Sequence, residues 1–132
     1  MNPWPQTFDA STAPREMVAL IAQLMGLLLA GEAPRAAILR DQYVRARLAK
    51  LTLTGPGFFA DFEVPTETAR VDPPRLVGGA AEIDIEGVKH SAGCVLFVGE
   101  GVIQTLEGYT FADEWPMHPR VNAIRNVVPI VA

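Results

Sequence analysis

Hydrophobic positions in the first third of the chain repeat with helical spacing. Between Met17 and Leu28 the apolar residues recur three and four positions apart, and this pattern predicts a first helix over residues 11–30 that ends at Gly31. A second, shorter run with the same spacing predicts a helix over residues 33–48. The chain therefore begins with two amphipathic helices.

The first helix carries more apolar surface than one buried stripe needs. Val18, Met25 and Leu29 lie outside the main stripe and extend the apolar character around most of the circumference. A helix of this kind is buried on several sides or lies in a subunit interface. We therefore predict a homo-oligomer formed through residues 13–30.

From residue 58 onward the pattern changes to the two-residue period of β-strands. Strands are predicted at residues 58–64, 81–86, 91–98, 102–106 and 120–131. Gly99-Glu100-Gly101 predicts a tight hairpin, and pairing across it places Val95 opposite Leu106. The last strand contains Pro129, which confines it to a sheet edge or ends it early.

These elements predict an α+β fold in a single domain over residues 1–132. Two N-terminal helices pack on one face of a mostly antiparallel sheet of four to six strands. Residues 1–10 contain spaced prolines and predict an extended strap, packed onto the domain by Trp4 and Phe8. Residues 65–75 are rich in proline and turn formers, and they predict a loop long enough to act as a mobile flap.

The charge of the chain narrows its possible partners. The net charge is −4, and residues 56–132 carry eleven acidic side chains against five basic ones. Such a surface disfavours nucleic acid, which proteins hold by phosphate contacts, and favours a basic protein partner. We therefore expect no nucleic-acid partner.

Membrane and secretory features are also weak in this sequence. The apolar run over residues 17–30 is shorter than the roughly 20 residues that a membrane-spanning helix needs. The residues before it do not form the basic region of a signal peptide. We expect no membrane partner and a cytoplasmic location, which is compatible with a single cysteine.

Two groups of chemically active residues have simple structural explanations. Glu82, Asp84 and Glu86 share one strand face and could bind a cation, but alternating acids are also typical of a solvated strand. His90 and Cys94 would lie about 13 Å apart along a strand, too far for a nucleophile and its base. Cys94 stands among apolar residues, which indicates a buried, inert thiol. We predict no metal and no cofactor, and no catalytic residue is assigned.

The most distinctive segment is residues 106–116, which combines three aromatic and three acidic side chains with a glycine. One interpretation is structural: a strand ends, the chain turns at Gly108, and an aromatic ring fixes the following loop to the core. The other is an acidic, aromatic binding surface. Its predicted binding residues are Glu107, Tyr109, Asp113, Glu114 and Trp115.

The segments FVGEGVIQTLEGYTFADEWP (97–116) and TGPGFFADFEVP (54–65) resemble a group of small bacterial proteins that share an LEGYxxxxEWP-like motif. The resemblance implies an α+β domain with the helices first, and it implies no catalytic residues. Small bacterial α+β domains of this general kind include toxin-neutralising immunity proteins. This link is an analogy of fold.

Two hypotheses about function follow. The first is a non-enzymatic binding module, immunity-like or inhibitor-like, that uses the acidic aromatic surface. The alternative is a small enzyme or small-ligand-binding protein with a cleft between residues 65–75 and 106–118.

Overall fold

The computed structural model describes residues 4–131. Along this range the helices and strands follow one another as β1 (Gln6–Phe8), α1 (Arg15–Leu28), α2 (Pro34–Arg45), β2 (Arg47–Leu53), β3 (Gly57–Glu63), β4 (Leu76–Ile85), β5 (Ala92–Gly99), β6 (Val102–Thr110) and β7 (Val121–Val128). The first three residues of the predicted strap lie outside the described range. Its remainder is extended and includes β1.

The strands form one antiparallel sheet, and both helices pack on the same face of it. The strand order is β1-β2-β3-β6-β5-β4-β7, with every neighbouring pair antiparallel. Buried side chains from both helices and from the facing side of the sheet form one core. The predicted α+β class is confirmed, with seven strands rather than four to six.

The two additional strands explain the difference in strand number. One is β1, from the strap, and the other is β2, whose first residues were predicted to belong to the second helix. The helix ends at Arg45, because Ala46 already has an extended backbone with ψ of 156°. Leu51 and Leu53 then alternate with threonine and are both fully buried, which is the two-residue period of a strand.

The start of α1 also differs from the prediction. Ser11 and Thr12 do not cap the helix but fold around Asp9, whose carboxylate accepts bonds from both of their backbone N–H groups. The Ser11 hydroxyl donates to the same carboxylate, and these bonds lower the pKa of Asp9. The helix then begins after Pro14, whose own backbone is not helical, with ψ of 134°.

Most of the apolar surface of α1 is used inside its own domain. Met25 and Leu29, two of the three residues outside the predicted stripe, are buried in the core. Val18 is the third, and 39% of it is exposed. The homo-oligomer through residues 13–30 stays a prediction. The exposed apolar surface of α1 is smaller than the sequence indicates.

The β5–β6 hairpin turns as predicted, but its register is shifted. Glu100 and Gly101 both have positive φ, at 54° and 80°, as the favoured two-residue hairpin turn requires. A bulge between Phe97 and Val98 then moves the pairing by one residue. The predicted pairing of Val95 with Leu106 is therefore wrong: Val95 faces Glu107, and Leu106 is buried opposite Leu96.

The 65–75 loop is irregular, as predicted, and it is fastened at several points. Val71 N–H donates to the Gly101 carbonyl at 3.0 Å, and Gly101 N–H donates to the Pro74 carbonyl at 2.8 Å. The buried Gln42 side chain of α2 donates to the carbonyls of Ala69 and Gly101, at 2.8 and 2.9 Å. The loop is therefore held against the hairpin and the second helix rather than free to open as a flap.

Cys94 lies on β5 with its side chain in the core. Burial raises the pKa of its thiol to about 11, because a thiolate would lose its hydration there. The thiol therefore stays protonated at neutral pH, as expected for a packing residue. No helix within residues 4–131 has the length and apolar character needed to cross a membrane.

Candidate functional site

The structure divides the five predicted binding residues into two groups. Glu107 and Tyr109 are half-buried on β6, on the sheet face opposite the helices. Asp113, Glu114 and Trp115 follow in the irregular segment after β6. Gly108, between the first two, is not a turn as predicted. It continues the strand, and the ring of Phe58 occupies the space where a side chain would stand.

The second group lines a cleft of about 380 Å³ at one end of the sheet. We call it the acidic cleft, and its lining residues are Trp4, Glu86, Gly87, Val88, Asp113, Glu114, Trp115, Pro116 and Met117. Three of these residues are carboxylates, and none of the lining residues that the structure describes is basic. The walls are therefore apolar and aromatic, and the charge of the lining is negative.

Trp4 and Glu114 form one wall. The indole N–H of Trp4 donates to the Glu114 carboxylate at 2.7 Å. The Trp4 ring lies against Gly55, and its Cδ1 atom is 3.3 Å from the position that a β-carbon would take. Gly55 also has φ of 106°, so a side chain is unfavourable there for two reasons. This wall is thus built from residues far apart in the sequence.

Trp115 forms the floor of the acidic cleft and belongs to the core. Only 1% of it is exposed, and its ring meets Phe58 edge to face, with centroids 4.9 Å apart. Its indole N–H donates to the Met17 sulfur at 3.1 Å, and its backbone N–H donates to the Gly55 carbonyl at 2.7 Å. These contacts fit the structural interpretation of Trp115, as a ring that fixes the loop to the core.

Asp113 is held in its charged form by His90. The backbone N–H of His90 donates to the Asp113 carboxylate at 3.1 Å, and the imidazole Nδ1 lies 3.4 Å from the same oxygen. These contacts, with the backbone bond first, lower the pKa of Asp113. The stabilisation they give is present above the ordinary carboxyl pKa and is lost as pH falls through the lowered value. Asp113 is therefore ionised at neutral pH.

Glu86 and Val88 also line the acidic cleft, from the connection between β4 and β5. Gly87 separates them with φ of 86°, which turns the chain between the two strands. The Glu86 carboxylate lies 3.6 Å from the guanidinium of Arg120, and both side chains are largely exposed. An exposed pair at this distance contributes little, so much of the Glu86 charge stays available to the acidic cleft.

Two members of the acidic triplet Glu82, Asp84 and Glu86 form ion pairs, Asp84 with Arg125 and Glu86 with Arg120. Asp84 lies 3.3 Å from Arg125 of β7, and Glu82 stands opposite the same arginine in the register. Glu82 and Asp84 line a smaller neighbouring pocket of about 180 Å³ that also contains His90. Within the described part of the chain, no group of three His, Cys, Asp or Glu residues could hold a metal ion.

Sequence reasoning missed Trp4 and Glu86 as members of the site. Trp4 was recognised as an aromatic anchor of the strap, which is the signal that could have indicated it. The alternative cleft, between residues 65–75 and 106–118, does not form. The first segment is bonded to Gly101 at the start of β6, and the residues after Thr110 lie at its other end, about 27 Å away.

Comparison of the chain with protein-family models, with curated proteins and with solved structures gives no match. The resemblance to small bacterial proteins with an LEGYxxxxEWP-like motif stays a prediction.

Two buried threonines, Thr110 beside the site and Thr68 in the distant 65–75 loop, give a matched pair for testing buried hydroxyl groups. The Thr68 hydroxyl has no hydrogen-bond partner among the described residues. The Thr110 hydroxyl lies 2.7 Å from the carbonyl oxygens of Pro56 and Asp113 and donates to either. Because valine has the same shape without the hydroxyl, Thr68→Val should raise the free energy of unfolding by about 1 kcal/mol. Thr110→Val should lower it by about the same amount. Urea denaturation of both variants measures the two changes, and equal signs would contradict the prediction.

Proposed function

We propose that this chain is a non-enzymatic binding module and that its acidic cleft takes a basic side chain of a partner protein. The observation that carries the proposal is the lining, in which three carboxylates stand beside the Trp4 ring and no residue described within 4–131 adds a basic side chain to it. Asp113 and Glu114 come from the segment that the sequence predicts as a binding surface. An immunity-like or inhibitor-like role would be one form of such binding.

The chemistry of the walls matches a lysine or arginine side chain. The methylene stem of such a residue packs on apolar surface, and its charged end prefers carboxylates. Val88, Met117 and the Trp4 ring supply the first kind of contact, and Glu86, Asp113 and Glu114 supply the second. Arginine can also stack on an indole, which adds a cation–π contact.

The surrounding charge favours the same partner. Eleven of the fifteen acidic side chains lie in residues 56–132, where only five basic ones accompany them. A negative electrostatic potential accelerates the encounter with a positively charged partner and disfavours negatively charged partners. This supports a basic protein and disfavours nucleic acid. The cytoplasmic location stays a prediction.

The test is a titration with a blocked hexa-arginine peptide, followed through the two indole N–H signals in a ¹⁵N spectrum. The Trp4 signal should shift and saturate, because its ring lines the acidic cleft. The Trp115 signal should move little, because that indole is buried and bonded to Met17. The double variant Asp113→Asn, Glu114→Gln should weaken binding about tenfold, which corresponds to ~1.4 kcal/mol.

The matched control is the double variant Glu63→Gln, Glu67→Gln, which removes the same number of charges from exposed positions outside the acidic cleft. This variant should bind the peptide within about twofold of the unchanged chain, because the loss of net charge alone acts weakly at physiological salt. Equal weakening by the control and the double variant would refute a specific site. Thermal melts of all variants separate lost binding from lost folding.

A second candidate is binding of a small cationic ligand, and the size of the cleft favours it. A volume of about 380 Å³ lies at the lower end of small-molecule sites, which span about 300–1,000 Å³. A basic protein partner and a small cationic ligand would make the same contacts in the acidic cleft. They differ in how much surface outside the cleft they cover. Arginine amide should reproduce the Trp4 shift at concentrations near those of the peptide if the ligand is small. A peptide that binds much more tightly than arginine amide supports a protein partner.

A further inference from the structure

One face of the sheet is covered by α1 and α2, and no described helix or strand covers the other. We call the second side the open sheet face. Its neighbouring side chains, read across the strands, include Phe59, Glu107 and Val95 in one row and Lys50, Asp61, Thr105, Phe97 and Val77 in the next. Phe59, Val77 and Val128 are exposed there by 39%, 60% and 58%. Four of the eight side chains in these two rows are apolar, and apolar groups exposed together on one sheet face indicate an interaction surface.

Glu107 lies in the middle of this apolar set. Its neighbours on the two adjoining strands are Phe59 and Val95. Within residues 4–131 its carboxylate makes no hydrogen bond or ion pair. Covering a carboxylate with apolar surface is costly unless a cation accompanies it. The occupant of the open sheet face must therefore bring a basic side chain to this point.

The chain itself carries a suitable cation on the same face. Lys50 of β2 lies on the other side of β3 from Glu107, and its nearest carboxylate, on Asp61, is 4.0 Å away. That carboxylate already accepts a bond from the Thr105 hydroxyl at 2.7 Å. Lys50 is therefore weakly held and can be released at small cost.

We propose that a second copy of this chain covers the open sheet face, and that Lys50 of each copy pairs with Glu107 of the other. A two-fold axis that runs along β3, between the two packed sheets, places β2 of one copy over β6 of the other. The two contacts then form together, as in any isologous interface. Phe59 lies near the axis and packs against its own equivalent.

The distances allow this pairing. Lys50 and Glu107 lie in adjacent rows of the register, about 7 Å apart along the strands. A lysine side chain spans that offset, and packed sheets stand about 10 Å apart. Side chains from both copies fill this gap.

The axis along β3 determines the contact area. It brings together the strands within two positions of β3, which are β1, β2, β3, β6 and β5. At a spacing of about 4.8 Å these five strands are about 19 Å wide, and strands of seven residues are about 24 Å long, which gives a face of about 460 Å² on each copy. The contact would bury about 900 Å² in total, the size of a weak and reversible interface, and we therefore expect the dimer at high protein concentration.

A charge swap tests this pairing directly by sedimentation equilibrium. The unchanged chain should dimerise, and Lys50→Glu and Glu107→Lys should each raise the dissociation constant about tenfold or more. The double variant Lys50→Glu, Glu107→Lys should return it to within about threefold of the original, because the two charges exchange places in the symmetric pair. Far-ultraviolet circular dichroism confirms that each variant is folded.

Two further variants separate this face from the helices. Phe59→Asp should abolish the dimer, whereas Val44→Asp, at an 82% exposed position on α2, should leave it unchanged. A chain that stays monomeric at several hundred micromolar overturns the proposal. So does a double variant no better than the single ones, or a dimer that dissociates only with Val18→Asp, which would place the interface on residues 13–30.

Discussion

Replacement of Gln42 by leucine is expected to lower the free energy of unfolding by about 3 kcal/mol. The buried Gln42 amide donates both of its protons, to Ala69 and Gly101, and its oxygen accepts the Ile103 N–H at 3.0 Å. Leucine fills the same space but leaves the backbone groups of Ala69 and Ile103 without these partners. A buried polar group that loses its partner costs about 1–3 kcal/mol. Urea denaturation measures the loss.

The control for this change is Gln23→Leu, at an exposed position of α1. The Gln23 side chain makes no hydrogen bond within the described range, so its replacement should change stability by less than about 0.5 kcal/mol. The loss at Gln42 should also be accompanied by faster hydrogen exchange at Ile103, because that amide loses its acceptor. A variant at position 42 as stable as the control would show that the three bonds contribute little.

Gly108→Ala is expected to cost about as much, for a steric reason. Gly108 is buried on β6, and the ring of Phe58 lies where the new methyl group would stand. Phe58 cannot move aside freely, because its ring packs edge to face on Trp115. Overpacking of this kind costs typically 1–3 kcal/mol, and the fully buried ring places this case near 3. The change should also disturb the acidic cleft, because Trp115 forms its floor.

Gly26→Ala is the control, and its expected change in stability has the opposite sign. Gly26 is exposed on α1, and a β-carbon there meets no atom within 4 Å. Alanine is favoured over glycine inside a helix by about 1 kcal/mol, so this variant should be more stable than the unchanged chain. If thermal melts give both glycine variants the same sign, the steric explanation for Gly108 is wrong.

The parts of the fold that follow a simple period were predictable from sequence. The helical spacing after Met17 and the Gly99–Gly101 hairpin both appear in the structure. The register of that hairpin was not predictable, because the bulge after Phe97 changes the count on one strand without a marker in the residues. The bulge explains why Leu106 faces the core. Strand β2 was missed because Ala46 and Ala49 extend the helical spacing past the end of α2.

The residues of the candidate site also divide into those that the sequence predicts and those that it does not. Asp113, Glu114 and Trp115 are neighbours in the chain, so their presence in one region follows from sequence alone. Trp4 reaches Glu114 across 110 positions, a contact that depends on the sheet order. Glu86 lies with Trp4 and Glu114 in the acidic cleft because β4 ends at the end of the sheet where the cleft lies. Such contacts follow from the topology and not from any local pattern.

The two edges of the sheet have a consequence for behaviour at high concentration. Strand β1, at one edge, has three residues, which is too short to template a growing fibril. Strand β7, at the other edge, is interrupted at Asn126, where φ is 52°, and proline follows it at position 129. Each of these features hinders the addition of another strand. Concentrated solutions of this chain should therefore resist conversion to amyloid, although seven antiparallel strands offer ample β-structure to propagate.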